Sequence, residues 1–302
     1  MLGECMDGLN IKSGSIIFDG TLGLANHSKK ILQLSSPNGR LIATDLDEQA
    51  IKIAKENLKE FEGRYQIFNQ NFKDFEEILD KLSIDKIDGV LLDLGMSSLQ
   101  IDDSERGFSY MSGESGLDMR MGKSVKQTAE DIVNNYSEKE LIYILKTYGE
   151  ENFAKKIAEN IVLYRKDRRI ETVSQLVEIT DKSIPDKFAS GHKAKKTFQA
   201  LRICLNEELT GLYECVSGMI RRLKTGGRIC VISFHSLEDR IVKNVFNEFY
   251  SECVCSKKLP VCICGKKREI NIITHKPLTA TDEEIKFNPR SKSAKLRIAE
   301  KI

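Results

Sequence analysis

The chain opens with short runs of β-branched and aromatic residues separated by stretches of helical spacing. "SIIFD" (15–19), "RLIATD" (40–45), "RYQIFN" (64–69) and "IDGVLLD" (87–93) read as strands. Between them, helical patterns occupy about 22–35, 47–61 and 73–82, the second placing Ile51, Ala54 and Leu58 on one face. Strands alternating with helices in this way predict βαβ units and a mostly parallel sheet buried on both faces. After Asp93 the rhythm breaks. Residues 94–127, rich in Gly, Ser and Met, read as a long loop, which in a compact domain is usually functional.

Helix-start signals follow. "SEKE" from Ser137 and "TVSQ" from Thr172 fit capping boxes. Residues 104–197 are expected to form a helical insertion, and 1–103 with 198–302 the core that carries the sheet. One long helix near 197–223 is expected to lead through "KTGG" to a strand, "RICVISF" (228–234). "SLED" from Ser236 reads as the cap of the next helix, and two strands near 269–275 and 294–299 as an antiparallel close to the sheet. The expected fold class is α/β, a Rossmann-like mostly parallel sheet with a helical insertion.

Composition narrows the classes. With 40% hydrophobic and 30% charged residues among 302, the chain has the make-up of a globular protein. No apolar run approaches the roughly 18 residues of a membrane span, and "MLGECMDGLNIKSG" lacks the parts of a signal peptide. The expectation is a cytoplasmic protein with no membrane partner. Net charge is +2, but residues 1–97 hold 11 basic against 16 acidic residues, so the excess of positive charge lies beyond them. It concentrates in "DKFASGHKAKKTFQALR" (186–202) and "KFNPRSKSAKLRIAEKI" (286–302), candidate surfaces for a polyanion or simply solvated faces.

The chemistry starts in the turn "DGTLGLANH" after the first strand. In an open α/β sheet, ligands sit at the carboxyl ends of the strands, and an acid ending the second strand can accept hydrogen bonds from ribose hydroxyls. Asp45 occupies that place. The G-x-G-x-x-G of a pyrophosphate-binding site is absent, which disfavours a nicotinamide-dependent oxidoreductase. A cofactor with adenosine but no phosphate, such as S-adenosylmethionine, fits better. Asp93 ends the fourth strand, where it would face a methyl donor and acceptor or merely cap a turn.

The eight cysteines are expected to be thiols or metal ligands in a reducing compartment. Cys253, Cys255, Cys262 and Cys264 form two C-x-C pairs in which four thiolates could hold zinc, the alternative being an unmetallated loop. Cys204, Cys215 and Cys230 sit in apolar patterns and read as small buried hydrophobes.

Longer motifs carry a resemblance. "DLGMSS", "DDSERGFSY", "LDMRM" (117–121), "YGEENFAKKIA" (148–158), "KTFQALRICLNEEL" (196–209), "GGRICVISFHSLEDRIVK" (226–243) and "NPRSKSAKLRIAE" (288–300) occur in order along essentially the whole chain. In these the chain resembles the bacterial 16S rRNA (cytosine-N4)-methyltransferase family, RsmH or MraW. The resemblance implies a class I methyltransferase fold and transfer of methyl from S-adenosylmethionine to the exocyclic amine of a cytidine in the decoding region of 16S rRNA, with the small ribosomal subunit as partner. Cofactor positions carried over by the resemblance are Ala25, Asn26, His27, Asp45, Phe72, Asp93 and Gln100. Where the family writes a glycine-rich turn, this chain has Leu24, Ala25 and Asn26. A Cβ at a left-handed position costs roughly 1–2 kcal/mol, so weakened cofactor affinity, or a non-catalytic RNA-binding relative, is the alternative.

For catalysis, Asp93 with Ser97 or Ser98 is expected to accept hydrogen bonds from the amine, and His235 either to relay the proton or to fix its turn. Arg106, Arg120, Arg202, Arg240 and Arg290 are the candidate substrate contacts, with Lys193, Lys195 and Lys196 as a basic rim. In "LDMRM", Leu117, Met119 and Met121 read as packing and Arg120 as the functional side chain. Any of these arginines could instead serve an intramolecular ion pair.

Overall fold

In the computed structural model, residues 1–122, 125–188, 191–253, 255 and 263–302 are described, together with the backbone but not the side chain of Ser98. Cys262 lies outside the described residues. The chain divides into two compact units, Met1–Gly95 with Leu209–Ile302, and Met96–Glu208.

The first unit is built on a sheet. Helix α1 (Leu2–Leu9) precedes β1 (Ile16–Asp19), α2 (Asn26–Leu34), β2 (Arg40–Thr44), α3 (Glu48–Asn57), β3 (Tyr65–Phe68), α4 (Phe75–Lys81) and β4 (Ile87–Asp93). The strand order is β3-β2-β1-β4 and then, from the C-terminal part of the chain, β5 (Leu223–Ser233), β8 (Lys295–Lys301) and β6 (Ile270–Ile272), with β7 (Leu278–Thr279) also on β8. β1 to β5 are parallel, whereas β6, β7 and β5 each run antiparallel to β8. All four expected strands of the first third are present, as are the two antiparallel ones.

Strand alternation divides the apolar residues between two faces. Phe18, Ile42, Val90, Leu92 and Val231 enter a core with Phe75, Val216 and Phe246, while Ile17, Leu41, Ala43, Leu91 and Cys230 face Leu9, Ile31 and Ala54. Phe18 and Phe75 meet edge to face with centroids 4.9 Å apart. Burying both faces explains why the strands read as continuous apolar runs. The strand order reverses between β1 and β4, which makes their carboxyl ends the crevice where such sheets take ligands.

The second unit is helical: α5 (Ser98–Asp102), α6 (Ala129–Asn135), α7 (Glu138–Thr147), α8 (Ala154–Asp167), α9 (Val173–Ser183) and α10 (Lys195–Asn206). Ser137 and Thr172 close the expected capping boxes with Glu140 and Gln175. This unit is wider than the expected 104–197, because Phe198, Leu201 and Leu205 on α10 enter the helical core beside Leu145 and Ile157.

Three local expectations give way. The long loop 94–127 contains α5 and a 3₁₀ turn at Ser104–Arg106, and Phe108, Leu117 and Met119 from it are buried in the helical core. The single helix near 197–223 is two, α10 and α11 (Leu212–Arg221), because Glu207 at φ 50° and Gly211 at φ 71° both turn left-handed between them. "KTGG" belongs to β5, and α12 (Ser236–Tyr250) is capped by His235 with Glu238, one residue before the cap expected at Ser236. The short helix α13 (Asp282–Phe287) precedes β8.

Candidate active site

Three acidic residues stand at the carboxyl ends of β1, β2 and β4. Asp19 is fully buried; its Oδ2 accepts from Ser28 Oγ at 2.6 Å and its Oδ1 from the Thr21 amide at 3.1 Å. Burial pushes its pKa up to about 6 even against those hydrogen bonds. Asp45 accepts from the Gly23 amide at 2.8 Å on Oδ2 and from the Asp47 amide at 2.8 Å on Oδ1. Burial raises its pKa while these amides pull it back. A carboxylate offers about four lone-pair positions, so further hydroxyls can still be accepted there.

Asp93 is held differently. Its amide donates to Thr21 Oγ1 at 2.6 Å, its Oδ2 lies 3.8 Å from His27 Nδ1, and its buried Oδ1 has no hydrogen-bond partner among the described residues. Burial, and secondarily repulsion from Asp19, push its pKa up to about 7. The side chain keeps 31% of its surface, so solvent moderates that push. His27 goes the other way: burial lowers its pKa to about 4, leaving the imidazole neutral at pH 7, and its Nε2 is also without a partner among the described residues.

The turn joins these groups. The Leu22 amide donates to Thr44 O at 3.0 Å, the Ala25 amide to Leu22 O at 2.8 Å, and Asn57 Nδ2 to Leu24 O at 3.0 Å. Gly23 has φ 50° and Ala25 φ 66°, so the left-handed position falls on the residue where a Cβ costs something. Gly20 sits where backbone must pass closely, since a Cβ there would meet Leu92 Cδ2 at 2.4 Å and Phe72 Cβ at 2.9 Å.

The pattern of the MraW methylase family matches residues 1–302. The chain belongs to the MraW methylase family. It is 53% identical over 302 residues to the ribosomal RNA small subunit methyltransferase H of Caldicellulosiruptor saccharolyticus, covering 100% of this chain and 98% of that protein. Proteins of the same name from Clostridioides difficile (49% over 304 residues, 100% and 97% covered) and Citrifermentans bemidjiense (50% over 301, 99% and 96%) are similarly related. The sheet of this MraW methylase is that of a class I S-adenosylmethionine-dependent methyltransferase.

The residues fit that cofactor. Asp45 has acceptor capacity left, and Asp93 Oδ1 and His27 Nε2 are buried polar atoms lacking partners among the described residues. Phe72 lies against Gly20 at the start of a 3₁₀ turn capped by Asn71. Ala25 is buried, and Asn26 opens α2 in an exposed position. Sequence reasoning did not assign Thr21, Ser28 and Gly23, which hydrogen-bond the three acids; the "DGT" following a strand was the available signal for Thr21.

Other expected residues are placed as follows. In the helical unit, Ser97 and Gln100 bind each other in a capping box, and Gln100 Nε2 donates to Met121 O at 3.4 Å. Arg106 donates to Arg120 O at 2.7 Å, Arg120 pairs with Asp118 at 2.7 Å, and Arg202 grips Glu208 through two bonds of 2.7 and 2.9 Å. Lys193 pairs with Asp186, and Lys196 donates to Glu150 O. In the sheet unit, Arg240 on α12 and Arg290 before β8 are exposed. His235 is an N-cap whose Nδ1 accepts from the Glu238 amide at 3.4 Å, while Glu238 Oε2 accepts from the Phe234 amide at 2.9 Å. No described helix is long and apolar enough to cross a membrane.

Proposed function

We propose that this methyltransferase uses S-adenosylmethionine to methylate N4 of a cytidine in the decoding region of 16S rRNA, with the small ribosomal subunit as its partner and the cytoplasm as its location. The observation that carries the reading is Asp93 Oδ1, a buried acceptor without a partner among the described residues at the strand-order reversal, in a chain of the MraW methylase family.

When bound, the cofactor supplies an electrophilic methyl on a sulfonium. The protein does the rest. Asp45 accepts the ribose hydroxyls, Phe72 packs on the adenine, and the turn through Ala25, Asn26 and His27 borders the amino-acid end. The cytosine amine is a poor nucleophile because its lone pair is delocalised into the ring. Asp93 Oδ1, accepting a hydrogen bond from that amine, orients the nitrogen and favours its pyramidal form, and a carboxyl with a pKa near about 7 can hold the proton released. Neutral His27 beside it adds no competing positive charge.

The cytidine must leave its stack to reach this site. Arg240 and Arg290 are the proposed backbone contacts on the sheet unit. The helical unit is the proposed substrate-recognition domain, where Arg106, Arg120 and Arg202 also brace its loop and helix end through their partners. Ser97 and Gln100 are proposed to order the segment following Asp93 through their capping box. His235 is proposed to fix the start of α12.

The test is methyl transfer from labelled S-adenosylmethionine to small subunits lacking the modification, read by nucleoside mass spectrometry. N4-methylcytidine is expected; a different methylated nucleoside, or none beside an active relative, overturns the assignment. This chemistry uses none of the thiols.

A further inference from the structure

We infer that Cys253, Cys255 and Cys264 hold one zinc ion through their thiolates, stapling an excursion of the sheet unit between α12 and β6. The inference is independent of the methyl-transfer reading. The three Sγ atoms all lie within 4.8 Å of one another, and those of Cys253 and Cys264 are 3.9 Å apart. A tetrahedral ion with zinc–sulfur bonds of about 2.3 Å sets its sulfurs about 3.8 Å apart. The observed spacing is that of ligands around a common ion, and is nearly twice the roughly 2.05 Å of a disulfide.

Two backbone features fit the same arrangement. The Cys255 amide donates to Cys253 Sγ at 3.3 Å, a bond that disperses charge from a sulfur carrying it. Gly265, directly after Cys264, has φ 61°, so the chain reverses at the ligand without a Cβ in the way.

The described residues of the segment have little other support. Among the described residues of 251–268 there is no helix, no strand and no buried side chain, and Ile263 keeps 78% of its surface. At its base the segment is closed by the Glu269 amide donating to Phe249 O at 2.9 Å and by Arg268 lying 4.1 Å over the Tyr250 ring. Beyond that base no apolar core fixes the described residues, and chain segments too small for a core are commonly ordered by a metal or disulfides. Lys266 and Lys267 supply positive charge next to thiolates whose summed charge exceeds that of a divalent ion.

The experiment uses the full chain without a histidine tag, purified under reducing conditions. Elemental mass spectrometry is expected to give about one zinc per chain, and Cys253→Ser and Cys264→Ser to lower it at least about fivefold, while Cys204→Ser in the helical unit does not. Titration of the metal-stripped wild-type chain with cobalt is expected to produce sulfur-to-metal charge-transfer absorption with tetrahedral d–d bands, which keeps the test decisive if a variant misfolds. Chelation is expected to speed tryptic cleavage after Lys266 and Lys267. Less than about 0.1 zinc per chain, iron with iron–sulfur absorption, or a Cys253–Cys264 disulfide trapped at lysis would each overturn the inference.

Discussion

His27 Nδ1 lies 3.8 Å from Asp93 Oδ2, yet at neutral pH the two do not form a full ion pair. Burial holds the imidazole neutral, with a pKa down at about 4, and holds the carboxyl at about 7, so Asp93 is poised to gain or lose a proton where the cell operates. As a base it works deprotonated. The transfer rate should therefore rise with pH through about 7 and level off above it. Asp93→Asn should lower kcat about 100-fold or more while S-adenosylmethionine affinity, measured by calorimetry, falls less than about tenfold. A variant that turns over normally removes Asp93 from the chemistry.

Gly20→Ala places a Cβ against Leu92 Cδ2 and Phe72 Cβ. Leu92 is in the core and cannot yield freely. The expected cost is about 1–3 kcal/mol in urea unfolding, with a further loss of cofactor affinity as Phe72 is displaced. Unchanged affinity in a folded variant would show that Phe72 does not border the cofactor.

At Ala25 two effects oppose each other. Ala25→Gly relieves a left-handed Cβ, worth roughly 1–2 kcal/mol, but removes a buried methyl worth about 0.8 kcal/mol. The net change in stability should be within about 1 kcal/mol. Ala25→Val, whose branched Cβ suits φ 66° far worse, should cost more than about 2 kcal/mol and weaken cofactor binding. Equal melting temperatures for the Gly and Val variants would contradict the strain argument.

Buried Asp19 and half-buried His27 have opposite linkage. The folded pKa of Asp19, about 6, is above its ordinary 3.8, so its contribution to stability is full below about 4 and is lost as pH rises through about 6. That of His27, about 4, is below its ordinary 6.5, so its contribution is present above 6.5 and is lost as pH falls toward 4. Asp19→Asn removes the first slope. The gain in unfolding free energy between pH 4 and pH 6.5 should be larger in that variant than in the natural chain, measured by denaturant titration at both values; an unchanged difference refutes the assignment.

His235 offers a test between capping and proton relay. Its side chain accepts from the Glu238 amide at the start of α12. His235→Asn keeps a good cap and should retain most of the activity, whereas His235→Ala should lose about 1 kcal/mol of stability. Loss of turnover in the Asn variant with its melting temperature intact would assign the imidazole a chemical role.

Much of the sheet was readable because parallel strands are buried on both faces and leave unbroken apolar runs, as "RLIAT" and "VLLD" do. The position of Asp45 was readable because an acid directly following an apolar run marks the carboxyl end of a strand. Breaks that depend on one residue's backbone angle were not. Glu207 turns left-handed at the end of α10, where its chemistry gives no such signal. His235 serves as an N-cap although Ser236 is the better cap by type. Arg202 pairs with Glu208, the intramolecular partner that the sequence left open beside a polyanion contact, and the turn at Glu207 is what brings the two together.

Sequence by itself determined the order of strands and helices, the acids at the strand ends and, through long motifs, the family. These are local: each depends on side chains and their neighbours along the chain. Tertiary structure alone decided that Thr21 ties to Asp93 across 72 positions, that Asp93 Oδ1 is buried without a partner among the described residues, and that three exposed or half-exposed thiols converge to ligand spacing. The first two depend on desolvation and on contacts between distant segments, which exist only once the sheet has brought the ends of β1 and β4 together; the third depends on the path of the chain between α12 and β6.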